Sequence, residues 1–190
     1  MNTAVLVIDM QNDFVLPGAP LCVSGAKATI PAIAQLLDYA RRNGWSVVHI
    51  IRQHNASGCD AEPFRRHIFK DGSGFCVKGT RGAEIVDELQ PKSGDYQVVK
   101  TRFSGFFKTE LHELLQRLGI KRMVLAGTQY PNCIRATAVD AISLDYETVV
   151  CTDACSAASP EVAAANTYDL EHMGIECLSL DCIISQNANK

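Results

Sequence analysis

The sequence predicts an α/β fold, a three-layer α/β/α, Rossmann-like domain on a six-stranded, mostly parallel sheet. Two observations predict it. Apolar strand-like runs alternate with helical runs for most of the chain, the order that covers both faces of a parallel sheet with helices. A length of 190 residues with 47% hydrophobic content suits one compact domain, 1–190, with a well-buried core and no linker, repeat or low-complexity segment.

The first strand is the apolar run 4–8, which ends in Asp9. A Gly- and Pro-rich loop over 12–25 follows, then a helix over 28–43 closed by Gly44. The second strand is 45–51. From 52 to 82 the periodicity breaks; glycines at 58, 72, 74, 79 and 82 and charges mixed with aromatics predict a long excursion with at most short helices, the kind of segment that often bears function. A short helix over 83–89 leads through Pro91 and Gly94 to a third strand that starts at Tyr96 and ends at Lys100. A helix over 107–118 is closed by Gly119, and the fourth strand, 122–126, runs towards a helix over 134–144. The fifth strand is 148–151. Ser159-Pro160-Glu161-Val162 reads as an N-cap with proline at the first helical position, opening a helix over 160–173, and a sixth strand, 175–180, is the last element.

Reactive side chains fall where these strands leave the sheet, and in parallel α/β sheets those carboxyl ends form the active-site edge. Asp9 and Lys100 stand there. Cys133 lies in Gly-Thr-Gln-Tyr-Pro-Asn-Cys-Ile-Arg, 127–135, where the fourth strand turns into a helix. A thiol at a helix start has its pKa lowered by unpaired N–H groups and the helix dipole, and the same groups hold a developing oxyanion. A carboxylate, an ammonium and a thiol on three such edges suit a base, an orienting group and a nucleophile. Spacing alone leaves plainer roles open: a buried structural cysteine, a turn-capping aspartate and a solvated lysine at a strand end.

The net charge of −3, without a block of like charges, gives no electrostatic footprint for nucleic acid. The first ten residues carry no basic-then-apolar leader and no apolar run approaches the roughly 18 residues of a spanning helix, so a cytoplasmic protein without a membrane partner is expected. Cysteines at 22, 59, 76, 133, 151, 155, 177 and 182 are expected to stay reduced, and neither a Cys-x-x-Cys pair nor zinc-finger histidine spacing occurs. With no G-x-G-x-x-G and no G-x-x-x-x-G-K-[ST], no cofactor is expected; the partner is a small-molecule substrate.

With these positions in place, the chain resembles the isochorismatase-like cysteine hydrolases, the superfamily that includes nicotinamidases and related amidohydrolases. Three segments carry the likeness: Val7-Ile-Asp-Met-Gln-Asn-Asp-Phe14, Val99-Lys-Thr-Arg-Phe-Ser104, and 127–140 with Thr137-Ala-Val-Asp140 on the following helix. The resemblance implies the triad Asp9, Lys100 and Cys133, a cis peptide between Thr128 and Gln129, and an oxyanion hole made by the backbone N–H groups of Gln129 and Cys133. It implies hydrolysis of a C–N bond in a small amide, imide or ureido compound through a thioester, by a homo-oligomer, dimer or tetramer. Nicotinamidase proper, or a non-catalytic or redox-sensing member of the fold, are the alternatives.

Metal-dependent nicotinamidases carry Asp-x-His after the second strand and a further His downstream. Here the run is Ile51-Arg-Gln-His-Asn55: Arg52 replaces the Asp, His54 keeps the histidine, and His67 is a second one without an aligned counterpart. A cation beside His54 repels a divalent ion, so no metal is expected. Arg52 becomes a candidate for binding an anionic or carbonyl group of the substrate, since its planar fork suits carboxylates, with His54 beside it. The later Phe64-Arg-Arg-His67 resembles a metal-lacking subgroup of nicotinamidase-like relatives. Two roles are open to Arg65 and Arg66: substrate binding, or pairing with Glu62 or Asp60 on the surface or across a subunit contact. Phe14, Phe103, Phe106 and Tyr130 are candidate walls of a flat pocket, Tyr130 narrowing it near Cys133 or donating a hydrogen bond, although aromatics next to strand ends also serve as core. Pro131 is expected to stiffen the approach to Cys133. His49, His112 and His172 read as structural or solvated.

Overall fold

The apolar runs assemble into one sheet. In the computed structural model, which describes residues 2–188, β1 (Thr3–Ile8), β2 (Ser46–Arg52), β3 (Tyr96–Lys100), β4 (Arg122–Thr128), β5 (Glu147–Ser156) and β6 (Glu176–Leu178) pair in the order β3-β2-β1-β4-β5-β6. Every pair is parallel. Parallel neighbours need long crossovers. These carry α1 (Asn12–Val15), α2 (Ile30–Arg42), α3 (Leu111–Arg117), α4 (Arg135–Ser143) and α5 (Pro160–His172), and α6 (Leu180–Ala188) follows β6.

Side chains alternate across a strand, and β1 is buried on both faces. Val5 and Val7 join the core under Ile33, Leu36 and Leu37 of α2 and Ile183 of α6. Ala4, Leu6 and Ile8 join the other core, with Leu111 and Leu115 of α3, Ala138 of α4 and Leu170 of α5. At roughly 1.5–3 kcal/mol for each large apolar side chain removed from water, these two cores fix β1 at the centre of the sheet.

That centre is also where the chain reverses. From β1 it builds outward through β2 to β3, then returns to lay β4 on the other side of β1, which makes the β1/β4 boundary the switch point of the sheet. The register sets Ile8 opposite both Ile50 and Gly127, and Arg52 opposite Lys100, so four strands end at one edge. Gly127 has φ +118°, and a Cβ there would collide with the backbone of Ile8. Only glycine lets β4 come this close to β1.

The polar residues after Asp9 hold the 52–82 excursion against this edge. Gln11 Nε2 donates to the carbonyls of Arg52 and Ala83, both at 2.7 Å, Asn12 Nδ2 to that of Arg81 at 2.7 Å, and Cys76 N donates to Asp13 Oδ2 at 2.6 Å. Within the excursion, Pro63–Gly72 is a run of 3-10 turns.

Several elements differ from the sequence-based expectation. The loop over 12–25 contains α1. No helix fills 83–89: there are 3-10 turns at Arg81–Ala83 and Asp87–Leu89, because Glu84 O and Val86 N are taken by Asn12 N and Met10 O. The helix expected from 107 starts at Leu111, since Lys108 adopts φ +54°. The last strand stops at Leu178, and 180–188 is helical, with Leu180, Ile183 and Ile184 at the spacing of one buried face. All eight cysteines are free thiols, and no helix among the described residues is long and apolar enough to cross a membrane.

Gly127→Ala is expected to destabilise the fold by more than about 2 kcal/mol in urea unfolding, because the new methyl meets backbone that cannot rotate away. A loss below about 0.5 kcal/mol would contradict the close approach.

Candidate active site

β1 ends by turning sharply. Asp9 takes φ +55°, a left-handed conformation that aspartate tolerates better than most residues, and its N–H donates to Ile50 O at 2.9 Å. Its carboxylate is buried and meets the buried Lys100, Nζ to Oδ2 at 2.6 Å. The other oxygen, Oδ1, has no hydrogen-bond partner among the described residues, which leaves it open to receive a proton. Lys100 Nζ also donates to Arg102 O at 3.1 Å and reaches Cys133 Sγ at 3.4 Å, so all three ammonium donors are directed.

Cys133 sits in a single π-type turn, Tyr130–Ile134, that follows β4 and precedes α4. The Thr128–Gln129 peptide is cis. On the β2 side, Arg52 is fully buried: Nη1 donates to Glu62 Oε1 at 2.7 Å, and Nη2 lies 3.8 Å from Cys133 Sγ. The backbone of Arg52 is held too, its N–H donating to Gln11 Oε1 at 2.7 Å.

Burial pushes the Cys133 thiol above its ordinary pKa, and the Asp9 carboxylate adds to the rise; Lys100 and Arg52 pull the other way without cancelling it. This corrects the expectation of a thiol acidified by a helix start. The residue lies in the π-type turn that runs into α4, and desolvation outweighs the local dipoles. Burial alone would lower the Arg52 guanidinium, but Cys133, Asp9 and Glu62 together hold it above its usual range. Burial would raise Glu62, and Arg52 more than offsets that, so its carboxyl stays below its usual value.

The space at the thiol is about 10 Å³, room for a single water, with Asp9, Arg52, Thr128, Gln129 and Cys133 among its walls. Phe14, Val23, Arg65 and Gln129 border both this space and an outer hollow of about 360 Å³. A hollow of about 300 Å³ against Ile51, Gln53 and Glu84 is open, but none of Asp9, Lys100 and Cys133 lines it.

The structure thus brings Asp9, Lys100, Cys133, Arg52 and Phe14 together, and four further candidates, Tyr130, Phe103, His54 and Phe106, do not line the space at the thiol. Tyr130 follows the cis peptide yet does not line the space at the thiol: it is buried in the core with Cys155 and Ile134, its hydroxyl near Thr167 and Cys177, and burial raises its pKa. Phe103 lies behind the arginines, its ring 5.0 Å from Arg65 and 5.5 Å from Arg52. His54 packs edge-on against Phe69 and Phe75 with Nδ1 3.3 Å from Asp60; burial, then the Arg52 charge, lower its pKa. Phe106 stacks on Tyr146, away from the pocket.

The residues do not fit a divalent ion. The charged group next to both Cys133 and His54 is a buried guanidinium, His67 is exposed, and no three His, Cys, Asp or Glu side chains come together as ligands among the described residues. Sequence reasoning missed Glu62 as the partner of Arg52, Gln11 as the clamp between β1 and β2, and Thr128 as a wall. Only Gln11 carried a signal, its place two residues after Asp9.

The profile of the Isochorismatase domain matches residues 3–182. Among solved structures, an isochorismatase family protein from Desulfovibrio vulgaris superposes with a TM-score of 0.96 at 56% identity, over 98% of each chain. The Arabidopsis thaliana protein named probable inactive nicotinamidase is 47% identical over 94% of this chain and 93% of its own. The ureidoacrylate amidohydrolase RutB of Agrobacterium fabrum is 34% identical over 90% of this chain and 83% of its own.

Lys100→Met is expected to slow alkylation of Cys133 by iodoacetamide at pH 8 about tenfold or more, because the charge that lowers the thiol pKa is gone and the thiol rises further. The same change leaves Asp9 buried without its counter-ion and is expected to cost about 3–5 kcal/mol of stability, so the rate is taken where circular dichroism shows the variant folded. An unchanged or faster alkylation would contradict the placement of Lys100.

Proposed function

The chain belongs to the isochorismatase family, and from that premise we propose that it is a cysteine hydrolase that cleaves a C–N bond in a small amide, imide or ureido compound through a thioester. The observation that carries the proposal is the Lys100 ammonium, 2.6 Å from Asp9 Oδ2 and 3.4 Å from Cys133 Sγ, which holds a base and a thiol around one cation.

In the proposed reaction Asp9 takes the thiol proton and the Cys133 sulfur attacks the carbonyl carbon, forming a C–S bond and pushing the carbonyl electron pair onto oxygen. The backbone N–H groups of Gln129 and Cys133 are the proposed donors to that oxyanion, a form of stabilisation often worth about 3–4 kcal/mol per donor. As the C–N bond breaks, Asp9 returns its proton to the nitrogen, and ammonia or an amine leaves. Water then loses a proton to Asp9 and adds to the thioester; the C–S bond breaks, and Asp9 returns the proton to the sulfur. Lys100 and Arg52 face the sulfur when it is negative. No step draws on a metal. A homo-oligomer in a cytoplasmic setting belongs to the same proposal.

The name of the Arabidopsis relative favours one second reading, a member of the fold that does not act on nicotinamide. Redox sensing has less support, since thiolate is the form that oxidises and this thiol is raised.

Ammonia release from nicotinamide, pyrazinamide, biuret, ureidoacrylate and maleamate is the test. Turnover of at least one is expected to survive chelator and to fall at least about a thousandfold in Cys133→Ala. Near-wild-type turnover by that variant would refute the assigned nucleophile.

A further inference from the structure

Arg52, Arg65 and Arg66, three of the four arginines in the excursion, have different fates in the structure. Arg52 is committed to Glu62 at 2.7 Å. Arg66 is exposed, with Nε donating to the carbonyl of Ala61 at 3.3 Å. Arg65 has no comparable bond. Its nearest carboxylate oxygen is Glu62 Oε1 at 3.8 Å, the atom already bonded to Arg52, and among the described residues no acceptor lies within hydrogen-bond distance of its guanidinium. The group is nevertheless held in place, with ring centroids of Phe103, Phe64 and Phe75 at 5.0, 5.2 and 5.6 Å. Aromatic faces attract a guanidinium without consuming its N–H groups, so the donor fork stays available.

Its location decides what it could serve. Arg65 borders both the small space at Cys133 and the outer hollow of about 360 Å³. The charges of the site do not balance: Lys100, Arg52 and Arg65 are positive, and only Asp9 and Glu62 are negative. The excess sits on Arg65, which shares Glu62 with Arg52: burial, then the neighbouring Arg52, push its pKa below its usual value, and Glu62 at 3.8 Å offsets them only in part.

We propose that Arg65 binds a carboxylate at the far end of the substrate, so that the enzyme acts on short amide or ureido acids in preference to neutral amides. The proposal rests on the cysteine-hydrolase reading for its reaction, but not for its binding. With the scissile carbonyl at Cys133, a short acid reaches the shared wall, and its one negative charge neutralises the site. A neutral amide makes no such pair and leaves Arg65 as it is.

The test pairs each acid with its neutral isostere: maleamate with maleamide, and N-carbamoylglycine with its carboxamide. The wild type is expected to favour the acid at least about tenfold in kcat/KM, and Arg65→Gln to lower the acid's kcat/KM by about 10- to 100-fold, mainly through KM, with the neutral compound changed less than about threefold. Arg65→Lys is expected to restore part of the loss. Equal losses for acid and isostere, or a wild type that prefers the neutral compound, would overturn the proposal. Calorimetric binding to Cys133→Ala separates it from the reaction. If that variant binds maleamate over maleamide and the preference disappears with Arg65→Gln added, the anion site stands even where the wild type turns over neither. If acid and diamide bind alike, or neither binds, the anion site falls whatever the turnover.

Discussion

A buried ammonium beside a buried carboxylate organises this site. Lys100 and Asp9 are each 1% exposed, and moving either charge alone out of water would cost several kcal/mol, so each is tolerable because the other stands 2.6 Å away. The pair reaches across β2, from the end of β3 to the end of β1, and the third direction of the ammonium points at Cys133 on the β4 side. Such a pair is a poor device for stability, since apolar residues of similar volume often do as well. Its place at the switch point, with a thiol on the same cation, is what function explains.

The raised thiol follows from the same burial. On the proposed mechanism the proton moves from sulfur to Asp9 inside the site, so no net charge enters or leaves a low-dielectric space; a negative charge only changes position between groups that share Lys100. Arg52, 3.8 Å from the sulfur, gives that charge a second cation, and Glu62 keeps Arg52 from being an uncompensated charge when the thiol is neutral. On that mechanism the thiol rests protonated, the form slow to oxidise, and becomes a nucleophile only when a carbonyl is bound to receive it. The guanidinium thus stands where a histidine-and-carboxylate metal site would need anionic ligands.

The strands were legible because parallel strands buried on both faces are continuous apolar runs, and those runs end in the reactive residues. Asp9, Lys100 and Cys133 could be picked out for that reason, one strand end at a time. What could not be read was anything set by a contact between distant segments. The fate of 83–89 depends on Met10 and Asn12, and the start of α6 on Asp153 Oδ2 accepting from Leu180 N at 2.8 Å. Arg52 and Glu62 are both visible in the sequence, but their pairing is a property of the excursion's path. Tyr130 could not be placed for a related reason: a residue three before Cys133 looks adjacent, but after the π-type turn its ring packs in the core that also holds Cys133 and does not line the space at the thiol.

The most direct test of the central claim is intact-mass analysis of the protein after rapid acid quench during turnover of an amide acid such as maleamate. The account predicts a transient adduct of the acyl mass, removable by hydroxylamine and located by peptide mapping on Cys133. Turnover with no adduct on that cysteine, and undiminished when Cys133 is replaced by serine, would contradict it.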